Sequence, residues 1–330
     1  MEALISLATL FIFLFAGMIL ARLPLIKNSP LIPKLSGVIL YGLLFFMGFR
    51  MGRTTEGAVQ LAEIGLISLA FALGTTTGTV IVLFLIFSFI ENFKKKRAKQ
   101  ANKDQFTSES EKMIKDKSRR VKSQDIHEIF SHLKDPLSLF SFVAFGFILG
   151  LLLPFREFTG AAVSTWMLRL LLLSVGIDLT LSGVSFKAVL SHKETLILPV
   201  GTAIGSLLGG LCAGMFFSLA PARSLAVAAG FGWYSLSGVI ITDLGNPMLG
   251  SAAFMSNILR ETIALVTIPF AAASRFPNLA IGLGGATSMD VTLPLIERSC
   301  GPKAVPLAIA SGAILSLLVP LLVPLFYQLS

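Results

Sequence analysis

GFGWYSLSGVIITDLGNPMLGSAAFMSNILRETIAL, residues 230–265, and GLGGATSMDVTLPLI, residues 282–296, decide how this chain is read. Both lie in a C-terminal region otherwise as apolar as lipid. Yet they place glycine clusters, hydroxyls, Asn257 and three acids, Asp243, Glu261 and Asp290, where a bilayer would be. A charged side chain at mid-membrane costs about 2.5–3.5 kcal/mol on insertion scales, so such residues usually face a cavity and work there. Backbone broken by Gly and Pro at that depth is tolerated only where it packs in protein or lines a wet site. The combination predicts a substrate or ion pathway through a membrane.

Composition agrees. The 330 residues are 54% hydrophobic and 14% charged, with mean hydropathy +0.82, against roughly 25% charged in a soluble globular chain. The net charge of +9 does not point to nucleic acid. About half of all Lys and Arg fall between Lys94 and Lys134, which is how a positive-inside topology signal looks. Cys212 and Cys300 lie in or beside apolar segments, and His127, His132 and His192 lie in polar connections without ligand spacing. Neither a disulfide framework nor a metal site follows. With no P-loop or nucleophile elbow, ATP drive, covalent catalysis and a cofactor are unsupported. The N-terminus, MEALISLATLFIFLFAGMILARLP, carries Glu2 in place of a positive n-region and lacks a small-residue cleavage site, so a retained first helix is expected.

Apolar stretches at about 3–22, 35–52, 62–90, 138–154, 163–181, 194–219, 250–273 and 303–328 are long enough to span, since roughly 17–25 residues are needed. Two more, 223–243 and 277–297, are interrupted by Gly, Ser and Thr, and either span as broken helices or dip in and return. The expected fold is therefore an all-α polytopic membrane protein with about eight transmembrane helices, two interrupted or re-entrant segments and internal inverted repeats. Its expected units are a three-helix unit over 1–90, a basic cytoplasmic loop over 91–137, a second three-helix unit over 138–222 and a transport core over 223–330. A mixed-charge, aromatic-poor loop reads as a partly disordered linker. Placing it inside puts both termini outside, and re-entrance of both interrupted segments would put Arg275, Arg298 and Lys303 inside as well.

Two similarities suggest the repeats. LLFFMGFRMG (43–52) is similar to LLLLSVGIDL (170–179); each follows a Leu-Pro corner, Leu23-Pro24 or Leu153-Pro154, and each precedes a Gly-rich helix, GTTTGT (74–79) or GTAIGSLLGG (201–210). SNILRETIALVTIPF (256–270) resembles SGAILSLLVPLLVPLF (311–326). Inverted repeats with discontinuous helices meeting at the midplane are the recurring plan of secondary transporters.

Asn257 and Glu261, four apart on a helix, share a face with Ala253, Ala264 and Ile268. Glu261 is too deep to snorkel; the alternative to a functional acid is an ion pair with Arg260 through a neighbouring helix. Asp290, between Gly284-Gly285 and Pro294, is ringed by Thr287, Ser288 and Thr292. It either binds a cation or caps a half-helix. Tyr234, Ser235 and Ser237 lie in the first break and are candidate lining residues, while Trp233 stacks on a cation or packs. Asp243, before Gly245-Asn246-Pro247, reads first as a turn acid and second as a lining residue. Asp178 and Arg169 rank behind these.

At GFGWYSLSGVIITDLGNPMLGSAAFMSNILRE and GGATSMDVTLPLI the chain resembles the lysine exporter family of bacterial inner-membrane proteins. The resemblance covers most of the chain apart from 91–137. It implies export of L-lysine and its toxic thia-analogue, with both termini outside, and a pair of membrane-embedded acids that correspond to Glu261 and Asp290. Lysine brings two ammonium groups and one carboxylate. Two carboxylates suit the ammoniums, and either backbone N–H groups or Arg260 suit the carboxylate. Proton antiport is the expected drive, because a uniporter would carry the cation inward, down the interior-negative potential, and moving it out costs about 2.3 kcal/mol per charge per 100 mV. An inorganic cation (Na⁺)/proton antiporter and a non-transporting membrane component remain the competing readings.

Overall fold

The computed structural model describes residues 2–23, 31–54, 58–101, 134–153, 161–181 and 193–330. All their regular structure is helical. A first group comprises α1 (Glu2–Leu20), α2 (Leu31–Thr54) and α3 (Ala58–Ala101), and a second α4 (Lys134–Leu152), α5 (Ala161–Leu181) and α6 (Lys193–Phe216). Short α7 (Pro221–Ala228) and α8 (Tyr234–Asp243) lead into long α9 (Pro247–Ala272). Short α10 (Leu279–Gly284), a 3-10 turn (Gly285–Met289) and α11 (Leu293–Cys300) lead into long α12 (Val305–Gln328). The three histidines and the two Leu-Pro prolines lie outside the described residues.

Among the described residues, four helical stretches have the length and composition to cross a membrane: Leu35–Arg53, Gln60–Phe93, Leu196–Phe216 and Pro302–Gln328. The sequence suggested eight spans. Among the other long helices, α9 dilutes its apolar run with Arg260 and Glu261. The third span also differs from expectation. Its helix does not stop near residue 90 but continues for 44 residues through KKKRAKQ to Ala101. Lys, Arg, Gln and Ala are good helix formers, and cations favour a helix C-terminus. At 1.5 Å per residue it is about 66 Å long, twice the hydrocarbon thickness of a bilayer.

Glycines set how the first six helices pack. A methyl group on Gly48 would strike the Val143 carbonyl, and one on Gly52 the Phe147 carbonyl. Gly146 and Gly150 meet the carbonyls of Phe45 and Phe49 in the same way. Each contact advances by one turn along both chains, so α2 and α4 run parallel with their backbones touching. Gly17 of α1 meets Leu173 of α5, and Gly176 meets Leu14. Between α3 and α6 the order reverses: Gly74 faces Gly209 and Gly78 faces Gly205, an antiparallel pair. Small residues permitting such close approach are the usual device of membrane helix packing.

Contacts at the helix ends fix the course of the C-terminal half. Near the start of α3, Gln60 Nε2 donates to the Met248 sulfur at 2.6 Å. Near its other end, Glu91 pairs with Arg275 at 2.6 Å, and Phe84 and Phe87 pack on Phe276. α9 therefore runs parallel to α3. Because α6 runs antiparallel to α3, the α7–α8 segment both leaves from and returns to the end of the bundle where α3 begins. At the opposite end, the Cys300 thiol approaches the Pro277 carbonyl at 3.5 Å, so the segment 277–300 also closes on itself. Each interrupted segment is a hairpin, and the two come from opposite ends.

Candidate substrate site at two crossed helix breaks

The hairpins meet at their tips. After α7 the chain turns through Phe231 (φ 49°) and Gly232 (φ 100°); after α10 it turns at Gly285 (φ 60°). At the crossing the Ala286 amide donates to the Phe231 carbonyl at 2.9 Å. Positive φ is cheap for glycine. At Phe231 it is a strained choice for a bulky residue, held by surroundings in which the ring is fully buried.

Asn257 secures the first break. Its Oδ1 accepts from the Gly232 amide at 2.7 Å, and its Nδ2 donates to Ser237 Oγ at 3.2 Å and to the Ala253 carbonyl at 2.8 Å. Ser237 in turn donates to the Trp233 carbonyl at 3.0 Å. Tyr234 packs edge-on against Phe254, ring centroids 5.8 Å apart, and Ser235 is buried beside it in the chain.

The second break is secured by its own hydroxyls. Thr287 donates to the Gly284 carbonyl at 2.8 Å and Thr292 to that of Thr287 at 3.0 Å. Ser288 is shared between the carbonyls of Gly285 and Ala308, at 2.8 and 2.9 Å. Thr287 and Thr292 bond within the break, whereas Ser288, through the Ala308 carbonyl, also ties it to α12.

Two acids flank the crossing in different environments. Glu261 is 2% exposed, one turn beyond Asn257 on a face shared with buried Ala253, Ala264 and Ile268, as the spacing suggested. Asp290 is exposed, immediately after the second turn, and its carboxylate accepts from the Val291 amide at 2.6 Å.

Arg260 reaches the same crossing from α9 and is buried at 2% exposure. Its guanidinium donates to Ser206 of α6 at 2.7 Å and to Thr79 of α3 at 3.3 Å. Its Nη2 lies 3.4 Å from where a side chain on Gly285 would begin. The buried Arg260–Glu261 ion pair weighed from sequence is not formed. Thr79 and Ser206 were not singled out beforehand. They close the matching motifs GTTTGT and GTAIGS, so their equivalence was the available signal.

Asp243 stands apart, at the end of α8. Its carboxylate accepts from Thr165 at 2.6 Å and faces Arg50 at 3.8 Å, tying the first hairpin to α2 and α5. Asn246 caps α9 by accepting from the Leu249 amide at 3.0 Å, as turn chemistry predicted. Arg169 stacks on Trp166 at 4.7 Å, and Asp178 is exposed.

Apolar helices packed through glycine and interrupted by two buried polar breaks define a helical membrane protein. The family model described as "Lysine exporter LysO" matches residues 11–101 and 140–327, and the chain belongs to that family. It is 43% identical to "Lysine exporter LysO" of Escherichia coli (strain K12) over 193 residues, 58% of this chain and 64% of that protein. It is 38% identical to "Putative lysine exporter" of Haemophilus influenzae over 188 residues, 57% of this chain and 96% of that one. The aligned part thus spans a little under two thirds of the E. coli relative. No solved structure matches the chain.

Proposed function

We propose that this chain is a secondary active exporter of L-lysine and thialysine, driven by proton antiport through Glu261 and Asp290. The observation that carries the reading is the position of Glu261. It lies one turn from the residue that holds the first break and next to the residue that touches the second, at the level where two discontinuous backbones cross. A carboxyl kept there serves a cation or a proton. Asp290 supplies the second carboxyl, exposed immediately after the second turn. One acid inside and one exposed fits an exchange in which lysine ammoniums and protons occupy the same groups in turn. One-for-one exchange with a proton is electroneutral and draws on the pH gradient alone; two protons per lysine would draw on the voltage as well.

The proposed setting is the bacterial inner membrane, with both termini outside and both hairpins re-entrant. Arg275 pairs with Glu91 at the end of α3 that leads toward the basic segment, and positive-inside logic assigns that end to the cytoplasm. Two inverted repeats account for the packing. The contact of Gly17 with Leu173 becomes that of Gly146 with Phe45 when the two three-helix units are exchanged, and Gly176 with Leu14 becomes Gly48 with Val143. In the C-terminal half, 55 residues separate Phe231 from Ala286 and equally Asn257 from Gly312, and each long helix meets its own hairpin's break there.

The test is efflux of labelled lysine from proteoliposomes under an imposed pH gradient, with Na⁺ and ornithine as competitors. Glu261→Gln and Asp290→Asn each abolish lysine efflux while leaving the protein folded. Near wild-type export by both variants would make the acids structural, and efflux driven or blocked by Na⁺ alone would favour the inorganic-cation antiporter.

A further inference from the structure

The Arg260 guanidinium is a full positive charge in the middle of the bundle. Its two hydrogen-bond partners, Ser206 and Thr79, are neutral hydroxyls, and its Nε, buried, has no partner. Among the described residues it forms no ion pair. Glu261, its chain neighbour, projects about 100° away around α9. Hydroxyls orient a guanidinium without neutralising it, and a buried charge left uncompensated is strongly unfavourable. Other polar groups near this position are also unsatisfied. The hydroxyls of Thr76, one turn before Thr79, and of Thr202, one turn before Ser206, are buried without hydrogen-bond partners. The guanidinium thus lies where α3, α6 and the second break converge, with donor capacity that the described side chains leave unused.

The geometry points to Arg260 as the receptor for the α-carboxylate of the exported amino acid, held so that bare diamines and inorganic cations are not accepted. This rests on the reading of the chain as a lysine exporter. A planar guanidinium suits a carboxylate, to which it donates two parallel hydrogen bonds. Thr79 and Ser206, one from each three-helix unit, orient the guanidinium. With the carboxylate there, the side chain of lysine is free to carry its ammonium toward the acids. A cation lacking a carboxylate leaves the arginine charge uncompensated, so it is rejected by repulsion and not merely by a missing contact.

The experiment compares labelled L-lysine with labelled 1,5-diaminopentane, which keeps both ammoniums and lacks the carboxylate, in proteoliposomes of the full chain. The wild type is expected to export lysine and to pass the diamine at least about tenfold more slowly. Arg260→Gln is expected to lower lysine export roughly thirtyfold or more, the lower range for truncating one partner of a buried charge pair. Diamine flux holds or rises, so the preference for lysine is lost or inverted; Arg260→Lys restores part of the discrimination. In parallel, lysine raises the wild-type melting temperature and its methyl ester does not, a readout that needs no variant to fold. A wild type that moves both compounds equally, or is stabilised equally by lysine and its ester, overturns the carboxylate site alone. An Arg260→Gln that loses both fluxes in proportion, with a lower melting temperature, makes the arginine a brace between helices and also overturns it. A wild type that moves no lysine overturns the exporter reading itself.

Discussion

Replacing Asn257 with Ala tests whether one side chain holds the first hairpin tip. Asn257 is 4% exposed and makes three hydrogen bonds. Removing it leaves the Gly232 amide without its acceptor in a dry place, a loss of about 1–3 kcal/mol. The bond to Ser237 adds about 0.5–1 kcal/mol, and the Ala253 carbonyl, which retains its place in the helix, adds little. The total is about 2–4 kcal/mol. For folded units of 150–250 residues that corresponds to roughly 4–16 °C in melting temperature. Thermal melting of the purified protein in detergent reads the shift, and lysine efflux is expected to fall with it, since the crossing depends on the same tip. Asn257→Asp keeps the Oδ1 acceptor for Gly232 but sets a second oxygen against the Ala253 carbonyl in a buried site, and is expected to lose at least as much stability. An Asn257→Ala variant melting within about 1 °C of wild type and exporting normally would refute the assignment.

Gly78→Leu is expected to force α3 from α6, costing about 1–3 kcal/mol or more, whereas Gly65→Ala, on the same helix with nothing within 4 Å of the added methyl, should be neutral or slightly stabilising; paired melting curves compare them. Asp243→Asn removes the carboxylate facing Arg50 and should cost about 1–3 kcal/mol, between exposed and fully buried pairs. The Arg50→Gln/Asp243→Asn double variant should recover part of it, and a double-mutant cycle with no coupling would argue against the tie. In a Cys212→Ser/Cys300→Ser background, an impermeant maleimide added outside is expected to label Ala220→Cys and Ser330→Cys but not Ser274→Cys; labelling of Ser274→Cys would invert the re-entrant topology.

The helices were legible because lipid-depth apolar runs are long and few residues interrupt them. The breaks were legible because Gly230–Gly232 and Gly284–Gly285 sit among hydroxyls, where a membrane helix would not put them. Whether those segments span or turn back was not. Loop charges weighed the alternatives almost equally, and the answer lies in tertiary pairs such as Arg275 with Glu91 and Cys300 with Pro277. Thr287, Ser288 and Thr292 looked like ligand-facing hydroxyls because composition cannot distinguish a hydroxyl offered to a solute from one engaged by a carbonyl. Arg260 was readable as a buried charge, but its partners Thr79 and Ser206 lie 181 and 54 residues away in sequence. Only the fold brings them to it.

At the closest glycine joints between the two three-helix units, such as Gly48 with Val143 and Gly78 with Gly205, backbone meets backbone without an intervening side chain. A joint of backbone against backbone has no rotamers to exchange and no gap to compress, so those six helices behave as a chassis. Motion during a transport cycle is then left to the hairpins, which are anchored at opposite rims and touch through the amide of Ala286 and the carbonyl of Phe231. Withdrawing either tip breaks that bond and frees a donor on one strand and an acceptor on the other, both at the same depth. The solute that fills the space would replace what the tips gave each other, so an empty carrier is expected to resist opening and a loaded one to yield. In a carrier such a contact would act as an interlock, opening to one rim only while the other remains shut.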